Sequence, residues 1–140
     1  MIVVSNFTKK DAQAVSRLIP QLTRNIVDGL NLDNRMNQII DCPGTRGIIA
    51  TVDGKLAGYA QLAWYIIPSK GLIAWVEEVV VDEKVRGQGV GRALMEKLLK
   101  IAEELGCQQV KLTSPNFIAQ KLYESLGFTF KETEVMVKNL

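Results

Sequence analysis

The sequence predicts a mixed α/β domain built around a meander of antiparallel strands, and three observations carry that prediction. Three β-prone runs follow one another between residues 47 and 81, separated by tight-turn signals. Apolar residues recur at helical spacing before and after them, most clearly over 89–105. No repeat, low-complexity tract or Pro/Gly/Ser-rich linker divides the chain, so residues 1–140 read as a single domain. A domain of this length buries roughly 70% of its unfolded surface, enough for a core without staples.

Residues 2–7 are apolar and β-prone and form the first strand. Thr8 followed three places on by Asp11 has the form of an N-terminal cap. Ala12, Val15, Leu18 and Ile19 then share one helical face, and Pro20 marks the end of that helix or a point just short of it. The stretch 21–42 is less regular; Asp33 is placed to cap a short helix carrying Met36, Ile39 and Ile40, stopped by Pro43-Gly44.

Residues 47–52 are rich in β-branched side chains, and Asp53-Gly54 is the strongest short-range hairpin signal in the chain. The return strand, 55 to about 67, carries Tyr59, Trp64 and Tyr65. A turn at 68–71 leads into a third strand over 72–81, ending in Val79-Val80-Val81. Leu94, Leu98, Ile101 and Leu105 make the next helix amphipathic, Glu96 and Lys100 form a favourable i,i+4 pair, and Gly106 stops it. A short strand over 110–113 and a helix over 116–126, stopped by Gly127, follow. Residues 128–130 and 134–137 complete the expectation as closing strands.

Composition excludes several kinds of chemistry. The chain has no histidine, which removes Ser–His–Asp and Cys–His catalysis and the usual metal-ligand sets; no metal is expected. Acid–base work falls to carboxylate, tyrosine, lysine, cysteine or water. Cys42 and Cys107 belong to no C-x-x-C motif and read as structural thiols. The net charge of +2, with scattered basic residues, argues against nucleic acid as a partner. No apolar run approaches the ~18 residues of a membrane span, and the N-terminus lacks a secretory pattern. A cytoplasmic protein without a membrane partner is the expectation.

The sharpest local feature lies between the third strand of the meander and the helix that follows. Arg86-Gly87-Gln88-Gly89-Val90-Gly91-Arg92 places three glycines at alternate positions, which allows a tight turn and close backbone approach. The free N–H groups and positive dipole end of the following helix point back at this loop, with Arg86 and Arg92 beside it. A diphosphate is the ligand this arrangement favours. The dinucleotide fingerprint fails because Arg92 stands where its last glycine belongs, and the P-loop pattern is absent.

Arg86-x-x-Gly89-x-Gly91 resembles the Arg/Gln-x-x-Gly-x-Gly/Ala acetyl-CoA signature of the GNAT superfamily of N-acetyltransferases. Trp75-Val-Glu-Glu-Val-Val-Val-Asp82 resembles that family's fourth strand, and Asn116-x-x-Ala119-x-x-x-Tyr123-Glu-x-x-Gly127-Phe128 its next helix and turn. The likeness covers about residues 73–130. It implies a mostly antiparallel central sheet flanked by helices and splayed after the fourth strand. Acetyl-CoA would be the co-substrate, its pantetheine pairing with Val79 and Val81 and its pyrophosphate resting on the N–H groups of Arg86 through Arg92. Asn116 would contact it from the opposite strand–helix junction, and Ala119 would leave room for the pantetheine arm.

The same resemblance implies roles in catalysis. Tyr123 would protonate the departing thiolate, and a backbone N–H near Val79 or Val80 would meet the developing oxyanion. Glu77 matches the family's usual polar position facing the site and is the favoured base, with Glu78 or a water relay as alternatives. Strand alternation allows only one of the two adjacent carboxylates to face the site, and sets Trp75 on the same face as Glu77. The acceptor would be a primary amine of a small molecule, its pocket built from about 22–42 and 66–72. A protein N-terminus or lysine, or a non-catalytic acyl-CoA-binding role, are the alternatives. The stretch 76–91, with Gly106-Cys107, also resembles amino-sugar-phosphate acetyltransferases. Dimerisation through the C-terminal strands is common in the family, which leaves a homodimer open.

Overall fold

The computed structural model describes residues 1–114 and 117–140. Five strands form one sheet in the order β1 (Ile2–Asn6), β2 (Thr45–Val52), β3 (Lys55–Ile67), β4 (Gly71–Val81) and β5 (Gln109–Lys111). The first three pairings are antiparallel and the last, β4 with β5, is parallel. Helices α1 (Ala12–Leu22) and α2 (Leu32–Asp41) cover one face; α3 (Val90–Leu105) and α4 (Phe117–Ser125) lie with the other.

Local chemistry explains most of these elements. The Thr8 backbone N–H donates to Asp11 Oδ2 at 2.8 Å, and a 3-10 turn over Lys9–Asp11 leads into α1. Asp53 and Gly54 both take positive φ, +50° and +82°, the twist that lets a two-residue turn join antiparallel strands. One expected boundary holds and one shifts. Helix α1 ends at Leu22, shortly after Pro20 as one of the two expected limits has it, because a proline in the last turn removes only one hydrogen bond near the frayed end. Asp33 sits within the first turn of α2 rather than capping it, because a 3-10 turn over Gly29–Asn31 moves the start back to Leu32.

Two apolar clusters hold the layers together. Ile48, Ala60, Leu62, Ala74 and Val76 on the sheet pack against Val90, Leu94, Met95, Leu98 and Ile101 of α3. On the other face Tyr59, Ile49 and Val80 meet Phe7, Val15, Leu18, Ile19 and Met36. Val90, Leu94, Leu98 and Ile101 recur on one side of α3, so its amphipathic period decides which face it buries. Glu96, expected to pair with Lys100, instead lies 3.9 Å from Arg92.

The expected closing strands are not formed: among the described residues 128–140 carry no regular secondary structure. The run Lys131-Glu-Thr-Glu134 interrupts the apolar pattern, and Phe130, Val135, Met136 and Val137 remain exposed. Among the described residues no helix is long and apolar enough to cross a membrane.

The sheet and α3 fit closely at Gly58. A Cβ there would meet Leu94 Cδ1 and the Val80 carbonyl at 3.0 Å and Val90 Cγ1 at 3.1 Å. Gly58→Ala is therefore expected to wedge β3 from α3 and lower stability by about 1–3 kcal/mol. Urea unfolding of the variant checks this; an unchanged midpoint would mean that the layers separate without strain.

Candidate active site

The site is built where β4 loses a neighbour. β5 pairs with β4 only across Ile73–Gln109, Ala74–Val110 and Trp75–Lys111, whereas β4 runs on to Val81. Among the described residues no strand takes up that edge of β4 beyond Trp75, so a notch opens between diverging strands. The expected splay after the fourth strand is present.

At the far end of β4 the chain turns through a 3-10 segment, Glu83–Val85, into the glycine loop. The loop is tied down on several sides. The Asp82 backbone N–H donates to Ala57 O at 2.7 Å, the Glu83 N–H to Gln21 Oε1 at 2.9 Å, and Arg86 Nε to Val81 O at 3.2 Å. Gly89 is the N-cap of α3 at φ +91°, a conformation that penalises a Cβ, and Gly87 lies at +83°. Arg86, Gly87, Gln88, Gly89 and Arg92 are exposed, whereas Val90 is buried under the sheet and anchors the helix start. Gly91 lies against Leu122 of α4 and Val81 of β4, and Arg92 donates to Ser125 Oγ at 2.7 Å. The helix N-terminus, the end of β4 and α4 therefore converge.

Tyr123 stands on the α4 side. Its ring packs edge-on to Phe128 at 6.1 Å, and the Phe128 N–H donates back to the Tyr123 carbonyl at 3.1 Å as Gly127 turns the chain. Burial raises its hydroxyl pKa, so the proton is held at neutral pH. Ala119 lies one helical turn earlier on α4. Asn116 lies outside the described residues.

The two carboxylates are placed in a way that strict alternation misses. Leu62 is opposite Val76 and Ala60 opposite Val79, so Glu77 and Glu78 together oppose the single residue Gln61. Val76 and Val79, three apart, both pack toward α3, and the pair between them shares the other face. This β-bulge corrects the expectation that only one carboxylate can face a given side. Partial burial, then the neighbouring Glu78, raises the Glu77 pKa above the ordinary glutamate range. Tyr59 feels Glu78 as well: burial first and that carboxylate second push its pKa well up.

Beneath the bulge runs a polar chain that sequence reading did not identify. Tyr59 donates to Gln61 Oε1 at 3.2 Å, Gln61 Nε2 to Thr45 Oγ1 at 2.9 Å, and Thr45 Oγ1 to Leu62 O at 2.9 Å. Its only signal in the sequence is a lone glutamine within an apolar strand. Farther back on β4, Trp75 Nε1 donates to the Tyr65 hydroxyl at 2.9 Å. A cavity of about 760 Å³ is lined by Trp75, Lys111, Tyr123, Phe128 and Lys131 among others. Trp75 and Tyr123 thus line one cavity, and Glu77 is not among its lining residues.

The profile of the acetyltransferase (GNAT) family matches residues 19–128. The chain belongs to that family. It is an N-acetyltransferase, and the family uses acetyl-CoA as co-substrate. A glucosamine 6-phosphate N-acetyltransferase from Trypanosoma brucei brucei is 32% identical over 116 residues, 78% of this chain and 76% of that one. An L-2,4-diaminobutyric acid acetyltransferase from Virgibacillus pantothenticus is 27% identical over 94% of this chain and 80% of its own length. Among solved structures, a Trypanosoma brucei acetyltransferase superposes with a TM-score of 0.83 at 26% identity, covering 99% of this chain and 100% of that one.

The raised Glu77 pKa makes a stability prediction with a definite sign. The folded protein holds this proton more tightly than the unfolded chain, so stability falls as pH rises through the window between the two pKa values. Glu77→Gln should therefore gain stability over the natural protein at neutral pH and lose that advantage below the ordinary glutamate pKa of about 4.3. Thermal melts at both pH values measure it; an advantage that does not shrink in acid contradicts the assignment.

Proposed function

We propose that this enzyme transfers acetyl from acetyl-CoA directly to the primary amine of a small molecule, in the notch where β4 and β5 part. The observation that supports this most is the unpaired edge of β4 beyond Trp75, flanked by the glycine loop at one end and α4 at the other. Bound acetyl-CoA supplies an activated thioester. The residues present fit such a ligand: Gly87 and Gly89 keep side chains off the loop, and α3, 16 residues long, presents N–H donors there. The backbone of Arg86 through Arg92 would hold the pyrophosphate, and the edge of β4 at Val79–Val81 the pantetheine.

Each remaining role follows from a requirement of the chemistry. An alkylamine is mostly protonated at neutral pH and must lose a proton before it attacks. Glu77, whose raised pKa brings it nearer to neutrality, accepts that proton directly or through water; Glu78 shares its face. A backbone N–H of β4 beside the bulge meets the oxygen as it gains charge. Tyr123, still protonated at this pH, gives its proton to the departing sulfur. The acceptor lies on the Glu77 side of the sheet, over Gln61 and near Trp75. Names of the relatives, one acting on a hexosamine phosphate and one on a diamino acid, support a small polar amine.

Tyr123→Phe removes the proton donor and keeps the ring. It should lower kcat for thiol release by about a hundredfold while leaving acetyl-CoA binding nearly unchanged. A variant with full kcat would remove Tyr123 from the chemistry.

A further inference from the structure

Three lysines from separate parts of the chain converge beside the acceptor face. Lys70 lies in the turn between β3 and β4, Lys111 ends β5, and Lys131 follows α4 in the C-terminal segment. Lys111 pairs in register with Trp75, and its Nζ stands 5.6 Å from the centre of the Trp75 ring. Lys70 lies near enough to the other two that the charges of Lys131 and then Lys111 hold its pKa down. Lys111 and Lys131 both line the cavity that Trp75 and Tyr123 also line, with Glu124 as the one carboxylate among its lining residues. The ion pairs among the described residues are Met1 with Asp53 and Arg92 with Glu96, so no carboxylate there pairs with these three lysines. Like charges gathered with no carboxylate in direct contact cost free energy in the unliganded fold, and an anion reverses the sign of that contribution.

We propose that Lys70, Lys111 and Lys131 bind an anionic substituent of the acceptor, so that the amine acetylated by this enzyme also carries a phosphate or a carboxylate. The proposal rests on the reading of β4 as the site of acetyl transfer and supplies its substrate class. Spacing along β4 suits it. Trp75 and Glu77 are two residues apart, about 7 Å at the rise of a β-strand. The cations beside Trp75 thus stand about one small molecule's length from the carboxylate that takes the amine's proton. Glu77 and Glu78 at one end and the lysines at the other give the acceptor face a polarity that orients a zwitterionic substrate.

Two measurements on the full chain test this. In a Trp64→Phe background Trp75 is the sole tryptophan, and its fluorescence is followed as inorganic phosphate is added at constant ionic strength. A saturable response is expected, weakened about tenfold or more in Lys70→Gln/Lys131→Gln, which leaves the Lys111–Trp75 contact in place. No saturable response, or an equal midpoint in the double variant, overturns the proposal. Acetylation is then compared within matched pairs: glucosamine 6-phosphate against glucosamine, and 2,4-diaminobutyrate against 1,3-diaminopropane. The anionic member of at least one pair should have the higher kcat/KM, with the preference lost in the double variant; the pair that responds distinguishes phosphate from carboxylate. Preference for the uncharged or purely cationic member in both pairs overturns the lysine subsite while leaving acetyl transfer intact. Failure of acetyl-CoA itself to bind, titrated on the same samples, would instead remove the underlying reading.

Discussion

β4 is hydrogen-bonded on both edges only over its first few residues, and the rest of the site depends on that shortfall. β5 contributes three residues, Gln109–Lys111, before the chain leaves the sheet. Backbone N–H and C=O groups along the remaining edge of β4 need partners, and the proposed extended ligand lying beside the strand would supply them. The core makes this local defect tolerable. α3 spans β1 to β4 with a continuous apolar face, so the sheet stays in place without a full fifth strand. The same helix begins at the far end of β4, which brings its N-terminal donors to the mouth of the notch.

The bulge in β4 works alongside the splay. By placing Glu77 and Glu78 opposite the single residue Gln61, it turns both carboxylates to one face and interrupts the ladder with β3. Raised pKa values at Glu77 and at Tyr59 follow from burial first and from that crowding second. The Tyr59–Gln61–Thr45 chain satisfies the polar groups beneath it, so the strand distorts without leaving these hydrogen-bonding side chains unpartnered. Opposing charges are segregated along β4: carboxylates at the bulge, lysines beside Trp75.

Much of this was legible in the sequence, for reasons that differ by element. α3 and the glycine loop stand out because helical period, alternate glycines and flanking arginines all point to one structure. Asp53-Gly54 was equally plain, since few dipeptides tolerate two successive positive φ values. The bulge was not visible: a period-two reading assumes an unbroken ladder, and one extra residue changes the face of everything beyond it. Pro20 bounded the end of α1 only to within a turn, because a proline in the last helical turn is tolerated. The C-terminal segment has the β-prone residues of a strand, yet the charged run 131–134 separates them and no ladder forms. The lysine cluster was invisible because its members are distant in sequence and meet only through the turn, β5 and the C-terminal segment.

The central claim, that the glycine loop and the edge of β4 hold acetyl-CoA, is tested most directly by calorimetric titration of Gly89 variants. Aspartate and asparagine both tolerate left-handed backbone better than most residues and both cap helices, so Gly89→Asp and Gly89→Asn should fold alike. They differ by one negative charge placed where the diphosphate would rest. Acetyl-CoA should bind the natural protein, bind Gly89→Asn measurably, and fail to bind Gly89→Asp, with circular dichroism showing all three folded. Equal binding by the aspartate and asparagine variants would place the cofactor elsewhere and contradict the account.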